Sequence, residues 1–81
     1  MTADEMFKKL DFDCYIKGKH IEYLKVEYVS DYDYDGEKDY EKIINIYFFI
    51  DRKEITIMGH FLTLEVLQAI NKKVEELGWL E

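Results

Sequence analysis

Residues 43–51 read Ile-Ile-Asn-Ile-Tyr-Phe-Phe-Ile-Asp and carry large apolar side chains at both parities. With a period of two, Ile44, Ile46, Phe48 and Ile50 share one face of a strand, and Ile43, Asn45, Tyr47 and Phe49 share the other. Such a strand can bury only one face against a single layer of helices. Arg52-Lys53 makes a tight connection, and residues 54–58 return with Ile55 and Ile57 inward, completing a hairpin. In a two-layer domain the second face, with Ile43, Tyr47, Phe49, Thr56 and Met58, stays open, and an exposed apolar patch of that kind marks an interface. Homodimerisation and a hetero-partner are both compatible with it.

The rest of the chain supplies the helices. Thr2 and Glu5 match a capping box, and Ala3, Met6, Phe7 and Leu10 then fall on one face, which predicts a short helix over residues 3–10. Residues 13–17 read as a brief strand and Gly18-Lys19 as a turn. Residues 20–29 form the first long strand, with Leu24, Val26 and Tyr28 inward against Lys25 and Glu27. Ile21 and Tyr23 are out of phase, which a bulge near residues 23–24 or a second sticky face would explain. Thr63 is a good N-cap, with Glu65 in the first turn. Leu67, Ile70, Val74 and Leu77 then recur at helical spacing, flanked by Leu64, Val66 and Ala69, and Gly78 sits at the C-cap. Trp79 and Leu80 are expected to fold back on the core.

The expected order is α-β-β-β-β-α, an α+β domain built as an antiparallel four-stranded meander with both helices on one face. With 81 residues the chain makes a single domain, 1–81. A chain this short buries about 60–65% of its unfolded surface, too little for two cores. At 48% hydrophobic and 16% aromatic residues, it lies far from the composition of disordered chains.

Eighteen acidic residues against eleven basic ones give a formal charge of -7. That balance argues against direct binding to nucleic-acid phosphates or to anionic membrane and favours basic protein surfaces or cations as partners. The charge is local. Residues 31–41, Asp-Tyr-Asp-Tyr-Asp-Gly-Glu-Lys-Asp-Tyr-Glu, carry -5 of it. Asp31, Asp33, Asp35, Glu37, Asp39 and Glu41 are interleaved with Tyr32, Tyr34 and Tyr40, just after Tyr28. Tyrosine gives rigid contact area at low entropy cost, so this segment reads as a binding loop for a basic surface, especially a groove that normally holds nucleic acid. Extended, it would project Asp31, Asp33 and Asp35 to one side and the tyrosines to the other. A solvated acidic loop is the plainer alternative. Asp31-x-Asp33-x-Asp35-Gly36 also matches the first six positions of an EF-hand-like calcium loop, with Asp39 at the ninth. The twelfth position is Lys42 instead of a bidentate Glu, and the flanks read as strands.

Catalysis finds no support. Ser30 is the sole serine, no phosphate-loop or nucleophile-elbow motif is present, and the carboxylates have no apolar pocket to separate their pKa values. His60, before the helix cap, reads as a surface or cap-region residue. Cys14 cannot close an intrachain disulfide, and its acidic neighbourhood would raise its pKa. No cofactor and no metal site are expected. The N-terminus lacks the basic and apolar run of a secretory signal, and the longest apolar run, 46–50, is far below the roughly 20 residues that span a bilayer. A cytoplasmic setting follows as an expectation.

Two stretches carry a resemblance. Thr2-Ala-Asp-Glu-Met-Phe-Lys-Lys-Leu10 and Phe61-Leu-Thr-Leu-Glu-Val-Leu-Gln-Ala-Ile-Asn-Lys-Lys-Val-Glu-Glu-Leu-Gly-Trp79 resemble small proteins carried by temperate phages and prophages of low-GC Gram-positive bacteria. Small acidic phage proteins of this general kind include inhibitors of host defence, such as anti-CRISPR proteins that occupy a nuclease's DNA-binding groove. The resemblance implies a binding protein, cytoplasmic in a bacterial host, and transfers no site residue.

Overall fold

A computed structural model describes residues 1–59 and 62–80, and at Asp33 the backbone alone. The elements are α1 (Ala3–Lys9), β1 (Asp13–Lys17), β2 (His20–Asp33), β3 (Gly36–Phe49), β4 (Glu54–Met58) and α2 (Leu64–Glu76). The four strands form one antiparallel sheet in sequence order, and both helices cover one face of it. The α+β meander is the fold expected from the sequence.

Both helices start and stop on local chemistry. Thr2 and Glu5 form the capping box of α1, and Thr63 accepts from the amide of Val66 at 3.2 Å at the start of α2. At the end of α1, Phe12 N–H donates to the Phe7 carbonyl and Asp11 N–H to that of Lys8; Trp79 and Gly78 repeat this pattern on Val74 and Glu75 of α2. Each helix therefore closes in a Schellman motif that sends its next aromatic residue, Phe12 or Trp79, back to the core. Leu80 does not follow and is exposed.

The core lies between helices and sheet. Phe7 of α1, Tyr23 of β2, Ile44, Ile46 and Phe48 of β3, and Val66, Ala69 and Ile70 of α2 are buried together. On α2 the apolar stripe is centred on Val66, Ala69 and Ile70, so Leu64 and Leu67 are exposed, contrary to the face expected from Leu67. The phase of β2 is also the reverse of the expected one. Tyr23 is 1% exposed and Ile21 packs beside it, while Leu24, Val26 and Tyr28 point to the open side. No bulge intervenes, because the ladder runs unbroken from His20↔Phe49 to Asp33↔Gly36. The alternative reading of that phase slip, a second sticky face, is the one realised.

The largest departure concerns residues 31–41. They form no open loop: β2 and β3 continue as a two-stranded ribbon, closed by a turn at Tyr34-Asp35. Gly36 closes that turn at φ 110°, a conformation glycine adopts without a Cβ clash. β1 pairs only with residues 20–24 and β4 only with 45–49, so residues 25–33 and 36–44 continue as an arm about 30 Å long, of which Ile44 at the base is still buried in the core. The arm accounts for the elongated shape, 51 × 24 × 17 Å.

Candidate binding surface

Strand alternation sorts the arm into two unlike faces. Toward the open side, β3 presents Glu37, Asp39 and Glu41, and β2 presents Tyr32, Ser30 and Tyr28 directly across from them. The three carboxylates follow one another at about 6.8 Å along the strand. Each faces a tyrosine or serine across the ladder, and Ser30 Oγ donates to Asp39 at 2.5 Å. Tyr28 and Tyr32 are about four-fifths exposed, and Tyr34 stands fully exposed at the apex. The side toward the helices is mixed in charge: Asp31 lies across from Lys38, Glu27 across from Lys42, and Val29 across from Tyr40. There Lys25 holds the Glu27 carboxyl below the usual range through a 2.7 Å ion pair. Lys42 stands over the Tyr40 ring at 5.9 Å, and Lys38 reaches Asp35 at 3.7 Å.

The register revises the expected geometry. Asp31 belongs to the helix side, Asp35 lies in the turn, and the side chain of Asp33 lies outside the described residues. The tyrosines are divided as well, Tyr32 toward the open side and Tyr40 away from it. The acidic row is therefore Glu37, Asp39 and Glu41. Because Asp31 and Asp33 are ladder residues of β2, the backbone is a hairpin and not a twelve-residue loop wrapped around an ion. Among the described residues no group of three or more metal-ligating side chains is assembled.

Toward its root, the same open face becomes apolar. Ile43, Tyr47, Phe49 and Met58 lie on it as expected, joined by Leu24, Val26, Tyr15 and His20, which sequence reasoning did not place there. The Leu24-Val26-Tyr28 alternation is the signal for Leu24 and Val26, but alone it reads equally well as a core face. Tyr47 and Phe49 stand side by side with ring planes 16° apart, and the Arg52 guanidinium covers Phe49 at 4.4 Å. Beneath them Glu22 is 8% exposed and accepts from the Asn45 amide at 3.1 Å, which also donates to the Tyr47 hydroxyl at 2.9 Å. Lys17 lies 3.8 Å from Glu22. The Asn45 side-chain oxygen is buried and has no hydrogen-bond partner among the described residues.

Cys14 is exposed on β1, and its thiol is pushed up mainly by desolvation and then by the charge of Asp4, not by its sequence neighbours. His60 lies outside the described residues. Among those described, no helix is long and apolar enough to cross a membrane. No family model, curated protein or solved structure matches the chain.

Proposed function

We propose that this chain acts by binding, using the open face of its arm to occupy a basic groove that otherwise holds nucleic acid. The observation that carries this reading is the row of Glu37, Asp39 and Glu41 beside Tyr28 and Tyr32 on a ribbon that projects beyond the four-stranded body. Residues 31–41 extend about 20 Å along the arm and carry -5, roughly one charge per 4 Å. One DNA strand carries a charge per about 3.4 Å, so the whole arm approximates a single strand, while the open row of Glu37, Asp39 and Glu41 alone, at one charge per about 6.8 Å, has about half that density. The tyrosines take the place of stacked bases as flat contact area. The phage-like terminal stretches direct the choice of target to a host defence nuclease, which would be inhibited in the manner of an anti-CRISPR protein. No cofactor or catalytic step is part of this role.

The test is a triple variant, Glu37→Gln with Asp39→Asn and Glu41→Gln, assayed against RNA-guided nucleases for inhibition of DNA binding. Loss of inhibition with an unchanged circular-dichroism spectrum is the expected result, whereas Asp31→Asn retains most of it. Inhibition by the wild type should weaken as salt rises. Full inhibition by the triple variant would overturn the reading.

A further inference from the structure

We infer that two copies of this chain pack open face on open face, head to tail, with the acidic arm of each lying along the root of the other's sheet. Three observations lead there, none of which depends on the proposed nuclease target. First, the open face is apolar in its middle. Val26 and Ile43 are ladder partners, 42% and 44% exposed, and lie midway between the root pair His20↔Phe49 and the tip pair Tyr32↔Glu37. A two-fold axis through that midpoint places each of these two residues against its own counterpart, as an isologous interface requires.

Second, the two ends of the face differ in charge. Near the root, residues 17–22 and 51–54 hold four cations, Lys17, Lys19, Arg52 and Lys53, against three acids, one of them the largely buried Glu22. Lys17, Lys19 and Arg52 stay more than half exposed although each has an ion-pair partner in its own chain. Of the two symmetric ways to stack the faces, tip on tip brings the two acidic arms together. Tip on root sets Glu37 of one copy over Arg52 of the next, so charge selects the head-to-tail arrangement.

Third, the size fits. The ribbon from residue 20 to 33 is about 44 Å long and, with β1 and β4 at its root, covers on the order of 600 Å² in projection. That projection is of the same order as the roughly 800 Å² per partner of a standard interface. Such a dimer covers the acidic row, so self-association and capture of a basic groove compete for one surface.

Sedimentation of the wild-type chain should give a mass twice 9.8 kDa that falls toward the monomer on dilution or at high salt. Ile43→Lys and, as an independent variant, Val26→Lys should each sediment as folded monomers. Glu37→Lys should weaken the dimer and Arg52→Glu added to it should restore it. In a Cys14→Ser background, Val26→Cys should form an intermolecular disulfide with itself, and Glu37→Cys should do so only when mixed with Arg52→Cys. A monomer at every concentration up to millimolar would overturn the inference, and so would self-linking of Glu37→Cys in preference to Val26→Cys. The nuclease assay of the Glu37/Asp39/Glu41 triple variant is scored separately, so either idea can fail without the other.

Discussion

The ring of Tyr23 lies flat on that of Phe7, with centroids 3.9 Å apart and planes 17° apart, and its hydroxyl donates to the carboxylate of Asp4. One β2 residue thereby fastens α1 to the sheet by stacking and by a charge-assisted hydrogen bond. Lys73 of α2 reaches the same carboxylate at 3.7 Å, and Glu76 accepts from the amide of Ala3 at 2.7 Å, so both helices converge at this point. Packing contributes more than polarity here, because Phe7 and Tyr23 are buried while Asp4 is largely exposed.

Tyr23→Ala should therefore cost about 3–5 kcal/mol and Tyr23→Phe only about 1 kcal/mol at neutral pH. Burial and Asp4 hold the Tyr23 phenol well above its ordinary value of 10. Because the folded value is raised, the hydroxyl's contribution is complete below about pH 10 and is lost as pH rises through the folded value. Urea unfolding from neutral to alkaline pH should show the advantage of the wild type over Tyr23→Phe shrinking once the pH passes about 10.

Asp11 closes α1 in the left-handed region at φ 67°, where a Cβ is disfavoured. Asp11→Gly should raise stability by about 0.5–1 kcal/mol, the relief of the Cβ clash exceeding the added chain entropy. A thermal melt checks this; a lower Tm would mean that the carboxylate supports the cap in another way.

The helices, the four strands and the hairpin 43–58 were legible because each has a period and a terminator: capping box, glycine stop, tight turn. The phase of β2 was not, because Ile21 and Tyr23 compete with Leu24, Val26 and Tyr28, and an apolar count cannot decide which set meets the helices. Burial of Phe48 and Ile46 decides it, since their ladder partners are Ile21 and Tyr23. Asp and Glu disfavour strands, and so dense an acidic run points to a loop. Yet Asp-Tyr-Asp-Tyr alternates with period two, and Asp35-Gly36 is a hairpin signal. The position of the acidic arm is thus readable from composition, but which acids share a face depends on the register.

Gly59 lies where β4 leaves the sheet, at φ 155° and against the backbone of β3. A Cβ there would stand 2.9 Å from the Ile43 carbonyl oxygen and 3.1 Å from Ile44 Cα, atoms that cannot move aside as a side chain does. Gly59→Ala should cost about 1–3 kcal/mol. The midpoint in urea should fall without a change in the slope, since the surface exposed on unfolding is the same.

The arm should open before the body does. Beyond Leu24 and Asn45 the two strands lose β1 and β4 as neighbours, so residues 25–33 and 36–44 have ladder bonds on one side only. An isolated two-stranded ribbon is marginal in water, and this one has a solvated open face. Its cross-strand links, Ser30 to Asp39 and Asp31 opposite Lys38, are exposed and contribute little individually. Hydrogen exchange followed by NMR should show arm amides protected only weakly and those of residues 21–24 and 45–48 protected to the global limit. In the head-to-tail dimer the arm lies on a partner sheet, so its protection should rise with protein concentration while that of the body stays constant. Equal protection of arm and body under dilute conditions would show that the ribbon is stabilised by its own cross-strand pairs rather than by what covers it.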